Sequence, residues 1–502
     1  MFNNSETLAT SAILLIAIAV LVWGFNRARP YGKVGILSWL QSVVLMAPWL
    51  LFFSLFAAGI YLNLVGVLVL LLASTIIYIY LGNRLRKAGQ DVMLRQKASE
   101  RLREQQETLQ QEESSTDTTE TETAQNTNKP PIPEEDLKTI QGLFGIDTFF
   151  STETIPYQDG AIFKGNLRGD PEKVYQQLSS KLEAALGEKY RLFLVESPEN
   201  KPVVIVLPST NDPQTSTTGQ NILAIALMVA TIISSLEAFS LLLGFDLFNN
   251  LNRFQEPFPL VIGLAIILGA HEIGHRIIAQ RYGIRLSLPF FLPSLQIGSF
   301  GAFTRIESLL PSRTVLFELA FAGPAIGGLV SLLMLVTGLI LSQPGSLFQV
   351  PTQFFQGSIL VGSLAKVILG SQLQESIVDV HPLTVIGWLG LVITALNLMP
   401  AGQLDGGRIV QAIYGRKTAR RTTVATLIVL GIVAIINPSN PIPLYWGILI
   451  LFLQRSLERP SLNELTEPDD ARAALGLLAL FLMLATLIPL SPGLAGKLGI
   501  GM

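Results

Sequence analysis

Residues 258–279 form an apolar run long enough to cross a membrane, and the run carries His271-Glu-Ile-Gly-His275. In hydrocarbon such a run must satisfy its backbone polar groups internally, so it can only be a helix. On a helix His271 and His275 stand four residues apart, share one face and can grip one metal ion. Glu272 sits beside the first of them, placed to take a proton from a metal-activated water. Apart from Arg276, these are the only strongly polar side chains in the run. Ionisable groups are expensive in hydrocarbon, so the cluster marks chemistry rather than packing. Hydrolysis inside a membrane needs a nucleophile made on the spot, and a metal-activated water supplies one.

The rest of the chain suits the same solvent. Of 502 residues, 49% are hydrophobic and 14% charged, the balance of a polytopic membrane protein rather than a soluble enzyme. A net charge of −2 gives no electrostatic case for nucleic acid as a partner. There is no cysteine, which excludes disulfides and thiolate metal sites. Only three histidines exist, and the third, His381, lies far along the chain.

Apolar runs at 10–24, 36–56 and 63–81 read as three early spans in an N-terminal transmembrane segment, 1–82. Glu6 and no basic stretch precedes the first run, so it does not read as a cleaved signal peptide. Residues 83–133 start as a basic helical stretch with Arg84, Arg86, Lys87, Arg95 and Lys97. They pass into a Thr/Glu/Pro-rich linker that cannot bury a core. Residues 134–208 read as a small soluble α+β domain. In it Asp170 can cap a helix with Pro171 at its first position. Val174, Leu178, Leu182 and Leu186 give that helix an apolar stripe, and Gly187 can end it. Strands are expected at 161–167, 190–195 and 202–207. Residues 209–220 form a second linker. Spans at 222–243, 258–279, 315–341 and 383–399, with shorter runs at 423–436 and 442–453, make 221–455 the core. Residues 456–502 hold a loop and a last span near 471–489. The fold expected is a polytopic α-helical membrane protein of about 8–10 spans with a small α+β domain.

Basic residues set the orientation. Placing Arg27, Arg29 and Lys33, then Arg276, Arg281 and Arg285, then Arg416, Lys417, Arg420 and Arg421 on the cytoplasmic side gives a consistent alternation. The N-terminus is then outside and the α+β domain cytoplasmic. The motif falls in the cytoplasmic half of its helix, since Leu260 to His271 is about 16 Å of rise.

A catalytic zinc site takes three protein ligands and keeps one position open. His381 begins the 383–399 span at its outer end, about 25 Å from the depth of the motif. Capping that helix is the simpler role for it. Asp405 is the better candidate, in Asn397-Leu-Met-Pro-Ala-Gly-Gln-Leu-Asp-Gly-Gly407. Pro400 interrupts the helix, and Gly402, Gly406 and Gly407 loosen the following turn, so a carboxylate there can turn inward. The alternative is an ordinary helix stop with an exposed Asp405.

These motifs, with Gly323-Pro-Ala-Ile-Gly327 between them, resemble the site-2 protease family of intramembrane zinc metalloproteases over about residues 222–453. The resemblance implies Zn2+ held by His271, His275 and Asp405, with Glu272 as catalytic base. It implies that Asn397 positions substrate or stabilises the oxyanion. It also implies that the Pro- and Gly-broken stretch 288–305 is a re-entrant hairpin by the active site; a peripheral interfacial loop is the alternative. Gly165-Asn-Leu-Arg168 is similar to the GNLR motif of the plastid and cyanobacterial branch, named for ethylene-dependent gravitropism-deficient, yellow-green plants. The α+β domain before the core and the lack of a PDZ insertion fit that branch. With no transit peptide evident, a cyanobacterial relative is expected rather than a plastid one. Arg168 could bind a partner or form an ion pair within its own domain.

The activity expected is that of a zinc-dependent endopeptidase cutting transmembrane protein substrates. Its setting is the lipid of a plasma or thylakoid membrane, with the active site toward the cytoplasm. The α+β domain is expected to recognise a partner or gate access. Cleavage needs an extended peptide, whose unpaired backbone groups are costly in hydrocarbon. A strand edge within 288–305 would meet them, Gly298 and Gly301 allowing close approach and Phe300 packing on a substrate side chain. Two other classes fit less well. A non-proteolytic scaffold or transporter would be marked by lost ligands. A prenyl-protein protease would take a Glu from a separate helix as third ligand. Gly323, Gly327 and Gly328 read as a helix-packing face, and Glu318, alone in an apolar span, stays unassigned.

Overall fold

A computed structural model of the chain describes residues 22, 24–57, 74, 77–78, 80–82, 84–85 and 132–500, the last stretch without 158, 198, 200, 439 and 455. The runs at 10–24 and 63–81 and the stretch 83–133 lie mostly outside the described residues. Two compact units are present. One includes helix α1, Gly32–Ala57, which contains the apolar run 36–56. The other comprises 127–432 and 442–502 and holds the elements that follow, except the last turn of the helix that ends at Ile436.

In this unit α2 (Glu134–Leu143) leads into an antiparallel sheet of β1 (Phe149–Tyr157), β2 (Gly160–Leu167), β3 (Tyr190–Glu196) and β4 (Pro202–Pro208), in the order β1-β2-β4-β3. Helix α3 (Pro171–Leu186) connects β2 to β3 and starts as its sequence dictates. Asp170 Oδ1 accepts from the N–H groups of Glu172 and Lys173, both at 3.1 Å, and Gly187 closes the helix at φ = 60°. Its stripe of Val174, Leu178 and Leu182 is buried with Phe149, Phe163, Leu194 and Val206 of the sheet. β1 is a strand that the alternation of residues does not announce, because a bulge between Ser151 and Glu153 breaks its register. The opposite face of the sheet, Phe193, Val195 and Val203, packs against Leu309 and Leu462. Residues 462–464 also extend the sheet: Leu194 N donates to Leu462 O (2.8 Å), and Glu464 N donates to Leu194 O (2.9 Å).

Among the described residues five helices are long and apolar enough to cross a membrane: α4 (Thr218–Leu242), α5 (Phe258–Arg281), α6 (Arg313–Leu341), α9 (Asp405–Ile436) and α11 (Asp470–Leu487). Shorter apolar helices are α7 (Ile359–Leu369), α8 (Pro382–Asn397) and α10 (Ile442–Leu449); α12 (Pro492–Leu498) is the last helix among the described residues. Aliphatic side chains exposed along α4 and α9, such as Ile225, Val229, Ile428 and Ile432, suit a lipid-facing surface. Between α5 and α6 lies an antiparallel hairpin of β5 (Phe290–Ser294) and β6 (Gly298–Phe303), bulged between Phe291 and Pro293. It packs on α4, where Ser234 Oγ donates to Gly298 O (2.7 Å). A second small hairpin pairs β7 (Phe348–Pro351) with β8 (Ile377–Val380).

The run 423–436 does not stand alone. It belongs to α9, which starts at Asp405 and continues through a kink at Gly415 (φ = 78°). A kink frees backbone carbonyls that must find donors elsewhere. Arg313, at the start of α6, supplies them: Nε donates to Ala412 O and Nη2 to Ile413 O, each at 2.7 Å.

Candidate metal centre

α5 and the first residue of α9 build the centre. His271 and His275 lie one helical turn apart, and the break after α8 lets α9 begin with Asp405 facing them. The Nε2 atoms of the two histidines are 3.1 Å apart. Asp405 Oδ2 lies 3.1 Å from His271 Nε2 and 3.5 Å from His275 Nε2. Three donors of a tetrahedral zinc site with bonds of about 2.0–2.1 Å stand about 3.3–3.4 Å apart. The triangle therefore fits zinc in size and in donor chemistry. These three residues form the metal-ligating cluster found among the described residues.

The surroundings keep the ligands aimed. His275 Nδ1 lies 2.7 Å from Leu319 O. To bond a carbonyl that nitrogen must carry the proton, which leaves the Nε2 lone pair for a metal. α6 comes close enough to do this because of glycine. A Cβ on Gly323 would collide with the His275 ring, and one on Gly327 with His271; Gly274 of α5 faces the Ala322 carbonyl at equally close range. The small-residue face thus does serve packing, as its composition suggests, but what packs against it includes the side chains of His271 and His275.

Glu272 is buried beside the triangle. Thr304 Oγ1 lies 3.0 and 2.8 Å from its two carboxylate oxygens, and Arg276 Nη2 is 3.4 Å from Oε1. A polar cavity of about 30 Å³, room for a water molecule, is lined by His275, Asn397, Asp405, Arg408 and the end of the hairpin at 302–304. Asn397 turns its amide toward that hairpin, Nδ2 donating to Ile393 O (2.9 Å) and Phe300 O (3.4 Å). Arg408 spans the far wall. Its Nη1 is 3.9 Å from Asp405 Oδ1, its Nη2 donates to Thr304 O (3.1 Å), and it pairs with buried Glu458 at 2.9 Å. A larger cavity, about 320 Å³, lies between α3, β3 and residues 308–309, and none of the ligands lines it.

The structure places the other singled-out residues as follows. Gly298 and Gly301 have φ of 81° and 102°, the left-handed region that glycine adopts without strain. The space beside Gly298 is taken by Ser235 and Leu264, and beside Gly301 by Asn397. Phe300 is 3% exposed and stacks on Tyr445 with ring centroids 4.9 Å apart. His381 caps α8, its Nδ1 accepting from Leu383 N at 3.3 Å. Glu318 is a tether: it accepts from Tyr282 Oη (2.8 Å) and pairs with Arg472, joining α6 to the ends of α5 and α11. Arg168 forms no ion pair among the described residues; its N–H donates to Thr148 O at 2.7 Å.

Thr304, Arg408 and Glu458 escape a reading of the sequence. Arg408 alone leaves a local trace, three residues after Asp405 and so on the same helical face. Thr304 and Glu458 meet the site only through the fold.

Two histidines and an aspartate on apolar helices, with a glutamate clamped beside them, form a candidate metal centre with the donor set of a hydrolytic metal site, in a multi-pass membrane protein. Comparison with known proteins is consistent with this. A family model described as peptidase family M50 matches residues 259–437, and one described as the EGY3 middle domain matches 138–214. The chain is 35% identical over 410 residues to the probable zinc metalloprotease EGY1, chloroplastic, of Arabidopsis thaliana, covering 73% of each chain. It is 38% identical over 370 residues to the probable zinc metalloprotease EGY2, chloroplastic, of the same plant. That match covers 71% of this chain but 65% of the relative, just under two thirds. No solved structure matches. The chain belongs to peptidase family M50, the site-2 protease family, and is similar to its EGY members.

Proposed function

We propose that the chain is a zinc-dependent intramembrane endopeptidase that cuts transmembrane segments of membrane-bound substrates. The observation that carries this is the triangle of His271, His275 and Asp405, with edges suited to zinc and Glu272 held beside it. Zinc, when bound, supplies a Lewis acid that polarises the scissile carbonyl and makes water acidic enough to attack at neutral pH. Glu272 takes the proton of the attacking water and returns it to the leaving amine, so one carboxylate serves as base and then acid. Asn397, on the wall of the same cavity, is placed to hold the substrate or meet the developing oxyanion.

A helix hides its carbonyls in hydrogen bonds, so the substrate must unwind before it can be attacked. The hairpin supports a way to hold it. Residues 302–304 border the cavity, so a peptide added beside β6 would bring a carbonyl to the ligands while its other backbone groups stay paired. Gly298, Phe300 and Gly301 shape that hairpin from within. The α+β layer, fastened to the core through Leu309 and residues 462–464, suits recognition of a partner or control of access. The distribution of basic loops supports a centre toward the cytoplasmic side, and the relatives' chloroplast naming favours a thylakoid membrane over a plasma membrane.

The test is direct. The purified protein in lipid vesicles, given a transmembrane peptide substrate, should cleave it within the membrane-embedded residues. It should stop when zinc is chelated and resume when zinc is returned. Cleavage that persists at full rate without metal would sink the proposal.

A further inference from the structure

We infer that Thr304 is the residue that aims Glu272, and that the buried Arg408–Glu458 pair holds Thr304 in position. The inference deepens the peptidase reading and rests on it. A glutamate side chain has three rotatable bonds, and a general base works only when its oxygen meets the proton at hydrogen-bond distance. Among the described residues, two groups restrain the Glu272 carboxylate. Arg276 reaches Oε1 at 3.4 Å from the next turn of the same helix, while its Nη2 also donates to Ser287 O at 3.0 Å. Thr304 Oγ1 stands 3.0 and 2.8 Å from the two oxygens, nearly equidistant. One hydroxyl proton serves either oxygen from there, so the contact fixes the plane of the carboxylate without committing one oxygen. When Glu272 carries the proton, the same hydroxyl oxygen can accept from it. Threonine is stiff about χ1, which keeps the hydroxyl in place.

The backbone of Thr304 is held in turn. It follows the last residue of β6, where the ladder with β5 has ended. Its carbonyl accepts from Arg408 Nη2 at 3.1 Å. Arg408 is fixed by Glu458 Oε2, at 3.0 Å from Nε and 2.9 Å from Nη2. Glu458 is locked through its backbone by Gln411, which accepts from Glu458 N (3.1 Å) and donates to Glu458 O (3.2 Å). Arg408 and Glu458 are 8% and 7% exposed. Burying such a pair is costly and often adds nothing to stability, so its use here is geometric. A single guanidinium faces the ligand carboxylate of Asp405 on one side and the strand end bearing Thr304 on the other. Metal ligand and base are thereby set in one frame.

Thr304→Val keeps the side-chain shape and removes the hydroxyl; Thr304→Ser keeps the hydroxyl. Both would be made in the full chain, with zinc content and the visible spectrum of the cobalt-substituted protein measured beside kcat and KM. Thr304→Val should lower kcat by roughly 10- to 100-fold, the usual cost of a misplaced catalytic group. KM, zinc content and the cobalt spectrum should not move, and Thr304→Ser should recover most of kcat. Glu458→Gln, which leaves the site's own groups in place, should lower kcat in the same direction by a smaller factor. Equal loss in Thr304→Val and Thr304→Ser would mean packing rather than aiming. Loss of zinc in Thr304→Val would mean that Thr304 supports the metal. A Thr304→Val protein with wild-type kcat would overturn the inference while leaving the peptidase reading intact. A wild-type protein that does not cleave would sink that reading instead.

Discussion

Replacing Gly323 with alanine should deprive the centre of its metal. Gly323 lies on α6 where α5 crosses it, and an added methyl would fall on the His275 ring, including Nε2, the atom that faces the other two ligands. The clash has two outlets. The ring can turn away, which breaks the 2.7 Å contact from Nδ1 to Leu319 O. Or α5 can withdraw, which separates Gly274 from the Ala322 carbonyl and carries both histidines with it. Each outlet opens the 3.1 and 3.5 Å edges of the triangle. Loss of a group supporting a ligand typically weakens metal affinity by about 10- to 100-fold. Displacing the ligand atom should cost at least that, about 1.4–2.8 kcal/mol at 1.4 kcal/mol per decade. The assay is equilibrium competition with a zinc chelator, read as zinc retained per chain. Gly328→Ala is the control, because its methyl would meet Thr394 Cγ2 at 3.4 Å, an ordinary contact. If Gly323→Ala binds zinc as tightly as the wild type, or if both variants lose it equally, the packing argument fails.

Asp405→Ala should likewise lose zinc, whereas His381→Ala should keep it, since His381 spends its Nδ1 on the cap of α8; zinc loss in His381→Ala would contradict the ligand set. Arg313→Met should destabilise the protein, because the carbonyls of Ala412 and Ile413 lose their donor at about 1–3 kcal/mol each; a melting temperature equal to the wild type would show that water replaces the guanidinium. In the α+β layer, the Lys189 ammonium and then the Tyr190 hydroxyl hold the Asp136 carboxyl below its usual range. A depressed carboxyl stabilises the fold above the unfolded value, near pH 4, and that contribution is lost as pH falls through the folded value. Asp136→Asn should therefore speed hydrogen exchange in α2 and β3 at neutral pH, with the gap to wild type closing in acid; a gap independent of pH would refute the linkage.

The sequence exposes whatever is encoded within a few residues. The four-residue spacing of His271 and His275 puts two candidate ligands on one helical face, and the Pro400-to-Gly407 break lets Asp405 face them. Both ends of α3 are equally local, with Asp170 and Pro171 setting its start and Gly187 its end. What the sequence hides depends on distant partners. β1 is masked by its bulge. The continuity of α9 across Gly415 depends on an arginine 99 residues away from the carbonyl it takes. Glu318 looked exceptional in an apolar span because its partner Arg472 lies 154 residues on. Thr304 reaches Glu272 across 32 residues and Arg408 across 104. Gly323 and Gly327 are readable as small residues for close packing, yet only the crossing of α5 and α6 shows that the neighbours they admit are His275 and His271.

Replacing Glu272 with glutamine tests the central claim most directly, because it removes the base and leaves all three ligands. Purified wild-type and variant proteins in vesicles, each assayed for zinc and for cleavage of one transmembrane peptide, should both hold about one zinc per chain. The variant should cleave at least about 10²-fold more slowly, the typical worth of a positioned general base. A Glu272→Gln protein that holds zinc and cleaves at the wild-type rate would contradict the account.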